Sequence, residues 1–155
     1  MNTGMPDGRA IGEGFMQWRR YAQRQQQLDA GGIVQSVLKM RKLTDAEVDA
    51  YRAPFPSSDY QSGALSFPRL VPIRPDHPGA FENRIASQRL RRLELPVLLP
   101  WGDADPVLGK LEPDLRVIFR NVAPPLVIHG AGHFIQEDAG EEVAGHIRTW
   151  LGTGR

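Results

Sequence analysis

The stretch VIHGAGHFIQED, Val127–Asp138, sets the imidazole of His133 between a glycine and a phenylalanine just beyond a short apolar run. In parallel sheets ligands collect outside the carboxyl ends of the strands, so a histidine in such a turn stands where catalytic groups sit. A second apolar run, Leu95–Trp101, closes in Gly-Asp-Ala-Asp-Pro and puts Asp105 28 positions ahead of His133. That spacing suits one right-handed crossover, whose two strands run the same way and open their loops on one edge of the sheet. A carboxylate accepting from one imidazole nitrogen fixes the tautomer and leaves the other nitrogen to take a proton from water or a nucleophile. Asp103 competes for that place. Both aspartates also suit a plain strand-ending turn, and His133 a hydrogen-bonded loop.

No nucleophile accompanies this pair. Ser36, Ser57, Ser58, Ser62, Ser66 and Ser87 all lie outside any Gly-x-Ser-x-Gly elbow. No aspartate follows an earlier strand in an elbow-like setting, and there is no cysteine to supply a thiolate, a disulfide or a cysteine-based zinc site. His77, in a proline-rich loop, and His146, beside the apolar face of the last helix, read as structural or solvated. His129 reads as packing.

The elements that must position these groups fall into two textures. Ile11, Phe15, Trp18 and Ala22 share one helical face, and Gly31-Gly32 are expected to end that segment. Ile33, Val37 and Met40 suggest a second helix, and Thr44-Asp45-Ala46-Glu47 is a capping box that starts a third. Pro54 and Pro56 should stop it. A polar, proline-studded connection carrying Tyr60, Phe67, Pro68 and Val71 follows, then a helical pattern over 84–93. The strand Leu95–Trp101, a helix over 111–122 and a strand over 125–129 make a βαβ unit. Asp138 can cap the last helix, with Val143, Ile147, Trp150 and Leu151 on one face and Gly152 as its stop. The expected fold class is α/β, an all-helical lobe followed by two parallel strands and their helices. Two such strands alone make a poor sheet, so more structure should lie beside them.

Composition narrows the partners. The 155 residues suffice for one domain with a real core, and 19 basic against 18 acidic residues give a net charge of +1. Interspersed charge of that size argues against a nucleic-acid surface or a polybasic membrane anchor, and Arg89, Arg91 and Arg92 read as a solvated face. The N-terminus lacks the basic and apolar regions of a signal peptide, and no apolar run reaches bilayer length. Cytoplasmic placement is expected.

Several motifs together resemble the C-terminal half of haloalkane dehalogenases, members of the α/β-hydrolase superfamily. They are Asn-Thr-Gly-Met-Pro-Asp-Gly at 2–8, Gly-Phe-Met-Gln-Trp at 14–18 and Tyr-Arg-Ala-Pro-Phe-Pro with Tyr60-Gln61-x-Gly63 at 51–63. Phe67-Pro68-x-x-Val71, Asp103-x-Asp105-Pro106-x-x-Gly109 and Ala131-Gly132-His133-Phe134-x-Gln136-Glu137 complete the set. The resemblance implies a partial α/β-hydrolase fold: a loop over 1–10 leaving a missing core, a helical cap region over 11–93, and the C-terminal part of the core over 94–155. It implies carbon–halogen cleavage through an aspartyl ester, with His133 as the base and Asp105 as its orienting acid. Trp18 becomes the cap's halide donor, and Phe15, Phe67, Pro68, Val71 and Val107 the walls of the substrate cavity. The implied partners are a small halogenated hydrocarbon, water and halide, with neither cofactor nor metal, and a monomeric parent is expected. The nucleophile, its neighbouring tryptophan and a His-Gly oxyanion loop should lie upstream of Asn2. Met1 is then expected to be an internal or misassigned start, and the chain alone is expected to be inactive and poorly stable. An epoxide hydrolase, which needs cap tyrosines such as Tyr21, Tyr51 or Tyr60, is the enzymatic alternative, and a non-catalytic remnant the other.

Overall fold

A computed structural model of the chain describes residues 2–152; Met1, expected above to be an internal or misassigned start, lies outside them. Five helices come first: α1 (Glu13–Arg24), α2 (Ala30–Val37), α3 (Asp45–Arg52), α4 (Ser62–Leu70) and α5 (Ala80–Leu90). The α1 stripe buries Phe15 and Ala22. At α3 the capping box forms as its sequence requires, Thr44 accepting from the Glu47 N–H while the Glu47 side chain accepts from the Thr44 N–H.

Two expectations in this lobe need correction. Gly31-Gly32 lie inside α2 instead of ending α1, which stops at Arg24. They are glycines for contact: a Cβ on Gly31 would stand 2.4 Å from the Val48 carbonyl oxygen of α3, and one on Gly32 2.5 Å from the Asp29 carboxylate that caps α2. The stretch taken as a polar connection holds a 3-10 turn, Ser58–Gln61, and α4, with Pro68 inside that helix. Its apolar residues form no continuous buried stripe, Phe67 and Leu70 being exposed, so hydrophobic periodicity gave no signal for a helix. The Gln61 side chain is buried and holds both the N–H and the carbonyl of Leu28.

The α/β layer follows as β1 (Pro96–Val97), β2 (Pro100–Gly102), α6 (Glu112–Arg116), β3 (Asn121–Val122), β4 (Leu126–Ile128), α7 (Ile135–Asp138) and α8 (Gly140–Gly152). The first expected strand is thus split into β1 and β2, and the second is observed as β4, with β3 ahead of it in the stretch expected as helix. β1 pairs in parallel with β3, and β2 with β4, in the register Trp101 opposite Val127 and Gly102 opposite Ile128. Prolines account for the break: Pro100, Pro124 and Pro125 carry no N–H and cannot donate to a ladder. The helix expected over 111–122 is cut to α6 after a 3-10 turn, Gly109–Leu111, because the chain must extend again at Asn121 to pair with β1.

Three buried clusters hold the layer and the lobe: Trp101 with Leu115 and Ile118, Ile128 with Ala131 and Ile135, and Val34 with Leu38 and Leu43. Phe134, beside His133, packs on the last of these and so joins the layer to α2. Trp101, expected to pack, is buried, and its indole N–H donates to the Gly109 carbonyl at 2.9 Å. Ile128 is fully buried at the end of β4, five residues ahead of His133. Its replacement by alanine should cost about 2–5 kcal/mol, read as a lower urea midpoint with an unchanged slope.

Candidate active site

The loops after β2 and β4 leave the same edge because both strand pairs are parallel. Their backbones nearly touch. Ala104 N–H donates to the Ala131 carbonyl at 3.0 Å, and a Cβ on Gly102 would meet that same oxygen at 2.5 Å. Glycine at 102 therefore lets the two loops close on one another, bringing His133 Nδ1 to 2.9 Å from Asp105 Oδ2. The Asp105 side chain has 0% of its surface exposed and that of His133 15%.

Burial opposes ionisation of Asp105, but hydrogen bonds from His133 and from the Val107 N–H, at 2.7 Å, outweigh it and hold the carboxyl below its usual range. An ionised carboxylate only accepts, so Nδ1 of His133 is the donor in this contact, and in the neutral ring Nε2 is the nitrogen that can accept a proton. Asp103, the competing acid, is engaged elsewhere. It accepts from Gly130 N–H at 2.7 Å and pairs with His129 Nδ1 at 2.9 Å, and these contacts lower its pKa. The packing role expected of His129 is corrected by this: its side chain is 84% exposed, in contact with Asp103 at the surface.

The third partner of Asp105 was not singled out in the sequence. Asn2 is almost completely buried, donates from Nδ2 to Asp105 Oδ2 at 2.9 Å and to Gly102 O at 2.8 Å, and accepts from Gly102 N–H at 3.0 Å. Its backbone N–H reaches the His133 carbonyl at 3.3 Å. Asn2 thus spans both loops, a role that no local pattern signals because its partners lie 100 residues away. Asp138 is a second omission and a correction: it ends α7, and its carboxylate accepts from Gly132, Lys39 and Met40 N–H groups in place of capping α8.

His133 opens on a cavity of about 630 Å³ shared with Trp18, Tyr21, Ile33, Val37, Val107 and Phe134. Gly14 lets α1 approach this wall, since a Cβ there would fall 2.0 Å from the Pro106 carbonyl oxygen. Trp18 stacks on Tyr21 with ring centroids 5.9 Å apart, and Phe134 sets its ring edgewise to His133 at 5.0 Å. Trp18 and Val107 are therefore brought to His133, and the other wall residues expected from sequence are not. Phe15 and Val71 line a separate cavity of about 340 Å³ with Leu111, Leu115 and Ile118. Phe67 is 69% exposed and Pro68 is buried, and neither of them lines the His133 cavity. Of the cap tyrosines, Tyr51 donates to Glu137 at 2.6 Å, which pushes its pKa up to about 12, and Tyr60 is exposed. Only Tyr21 lines the cavity. Among the described residues no group of three or more potential metal ligands comes together, and no helix is long and apolar enough to cross a membrane.

No family model matches the chain. It is 39% identical over 147 residues to a haloalkane dehalogenase of Psychrobacter cryohalolentis, covering 92% of the chain and 48% of that relative. It is 42% identical over 137 residues to one from Mycobacterium marinum, covering 88% and 46%. The chain is homologous to one half of a haloalkane dehalogenase. Among solved structures, the tetrameric haloalkane dehalogenase DpaA of Paraglaciecola agarilytica NO2 superposes with a TM-score of 0.84 at 27% identity, over 94% of the chain and 49% of DpaA. DatA of Agrobacterium tumefaciens C58 superposes at 0.74 with 18% identity, over 94% and 55%. The architecture is thus a partial α/β-hydrolase fold, and the chain spans about half the length of the dehalogenases it matches. DpaA is a tetramer, which runs against the expectation of a monomeric parent.

The Asp105 carboxyl supplies a pH test of the geometry. A carboxylate whose pKa is lowered by folding adds stability above the usual aspartate value, near pH 4, and loses it as pH falls through the lowered value. The urea midpoint of the unaltered chain should therefore exceed that of Asp105→Asn at pH 7, and the gap should narrow steadily below pH 4. A gap independent of pH would mean that the Asp105 charge is not held by its partners.

Proposed function

We propose that this chain carries the base, the orienting acid and the cap halide donor of a hydrolase that cleaves carbon–halogen bonds, with the nucleophile supplied from outside these 155 residues. The observation that carries the reading is the buried Asp105–His133 pair facing Trp18 across one largely apolar cavity. A carboxylate oxygen of the nucleophile attacks the halogen-bearing carbon, the carbon–halogen bond breaks, and halide leaves with the bonding electrons. The indole N–H of Trp18 donates to charge that develops only as halide departs, while its ring and Val107, Ile33 and Phe134 exclude water from the site.

The resulting ester is cleaved in a second step. His133 Nε2 takes a proton from water, and the oxygen adds to the ester carbonyl carbon. The alkyl oxygen then leaves and takes the proton back from His133 to become alcohol, and the carboxylic acid left on the nucleophile gives its own proton to water, which restores the carboxylate. Asp105 stabilises the imidazolium formed in that step and holds the ring at the angle required. Neither step, as written, draws on a cofactor. Of the five wall residues carried over from the resemblance, Val107 keeps that assignment, and Phe15, Phe67, Pro68 and Val71 are replaced by Ile33, Val37 and Phe134. Epoxide opening is the second reading, and it rests on Tyr21 as the acid that would protonate a departing oxygen.

The test joins this chain behind the first half of the Mycobacterium marinum relative and measures bromide freed from 1,2-dibromoethane, with circular dichroism to verify folding. The joined protein should turn over, and the 155-residue chain alone should free no bromide. His133→Gln should release one equivalent of bromide in a burst, accumulate ester detectable by mass, and slow turnover by about a thousandfold. Trp18→Phe should weaken bromide release before any loss in ester hydrolysis. A folded fusion that opens epoxides but frees no bromide would favour the second reading, and bromide release by the chain alone would overturn the assignment of an external nucleophile.

A further inference from the structure

The two acidic residues that follow the His133 turn, Glu137 and Asp138, are spent on the cap. Asp138 Oδ2 accepts from the Gly132 N–H at 2.7 Å, on the residue before His133, and the same carboxylate accepts from Lys39 N–H at 3.0 Å and Met40 N–H at 2.9 Å. Those last two residues lie in the connection that leaves α2 for α3. In the opposite sense, His133 N–H donates to the Val37 carbonyl at 3.2 Å. Gly132 is forced by this approach, since a Cβ there would stand 2.1 Å from Val37 O and 3.1 Å from Asp138 Oδ2. Glu137 adds a second tether. Its carboxylate receives Tyr51 Oη at 2.6 Å and Arg41 Nη2 at 3.0 Å, while Arg41 Nε donates to its carbonyl at 2.8 Å.

The segment held in this way matters because Ile33, Ser36 and Val37 form the cap wall of the cavity onto which His133 opens. Three N–H groups from two parts of the chain converge on one half-buried carboxylate, which joins Gly132 to residues 39 and 40. We propose that Asp138 is a positioning residue: it locks the cap connection 37–40 to the His133 turn, so that the base and the cap wall keep a fixed spacing and the Nδ1–Asp105 contact stays closed. This rests on His133 being the base of the proposed reaction, yet its readout requires no turnover.

The experiment uses the 155-residue chain labelled with nitrogen-15 and follows the His133 Nδ1–H resonance and its exchange with water, at a temperature where circular dichroism shows every variant folded. Asp138→Ala should speed exchange of that proton at least tenfold, together with the amides of Gly132, Lys39 and Met40. Asp138→Asn, which keeps one accepting oxygen, should give an intermediate rate and serves if the alanine variant does not fold. Gln61→Ala removes two buried hydrogen bonds to Leu28, away from the His133 turn, and is the control for a general loss of stability. It should leave the His133 proton within twofold of the unaltered chain. Equal acceleration by Asp138 and Gln61 variants matched for urea midpoint, or no acceleration in either Asp138 variant, would overturn the proposal. A failure of bromide release by the joined protein with the NMR result intact would count against the dehalogenase reading and leave the lock standing.

Discussion

A carboxylate with no surface in contact with water dictates the arrangement around it. Placing an ionised aspartate in the interior costs several kcal/mol unless each of its oxygens is met by donors. Asp105 meets that requirement with His133 Nδ1, Asn2 Nδ2 and the Val107 N–H, drawn from three separate parts of the chain. The cost of the charge therefore selects one relative placement of the N-terminal segment, the loop after β2 and the loop after β4. What Asp105 needs for burial is also what His133 needs to act as a base, because the same hydrogen bond sets its tautomer.

Close backbone contact makes that placement reachable. Gly14, Gly102 and Gly132 each stand where a Cβ would come within 2.5 Å of a carbonyl oxygen, of Pro106, Ala131 and Val37 in turn. These positions pack α1 on the Asp105 loop, the two loops on each other, and the His133 turn on the end of α2. The helical lobe and the α/β layer consequently meet through main-chain contacts around the cavity, while apolar clusters hold each side from behind. Polar tethers at Glu137 and Asp138 complete the seam. Surface charge contributes little here by comparison, since most other ion pairs, such as Arg74–Asp76, are exposed.

Local pattern carried several elements to their observed places. The 4-3-4 spacing of α1, the capping box of α3 and the position of His133 after the last strand are all set by neighbours within a turn or two. Proline and glycine misled the reading where their usual meaning was overridden. Gly31-Gly32 suggested a stop but serve the approach of α2 to α3, and Pro68 suggested a loop but sits inside α4. Two strands were legible as apolar runs, whereas β3 was hidden in a stretch with helical spacing, and the division into β1 with β3 and β2 with β4 follows from prolines that interrupt the ladders.

From the amino-acid order alone came an α/β class, an imidazole and a pair of candidate carboxylates placed on one sheet edge, and a resemblance that assigned them expected roles. Such features survive because they depend on period, spacing and residue type, which chain order preserves. Which aspartate faces His133, that His129 lies at the surface, that Asn2 closes the acid's shell, and that Trp18 and Val107 but not Phe67 reach the cavity were decided by tertiary contacts. Those outcomes depend on hydrogen bonds and van der Waals exclusion between segments up to 103 residues apart, and local pattern does not carry such distances.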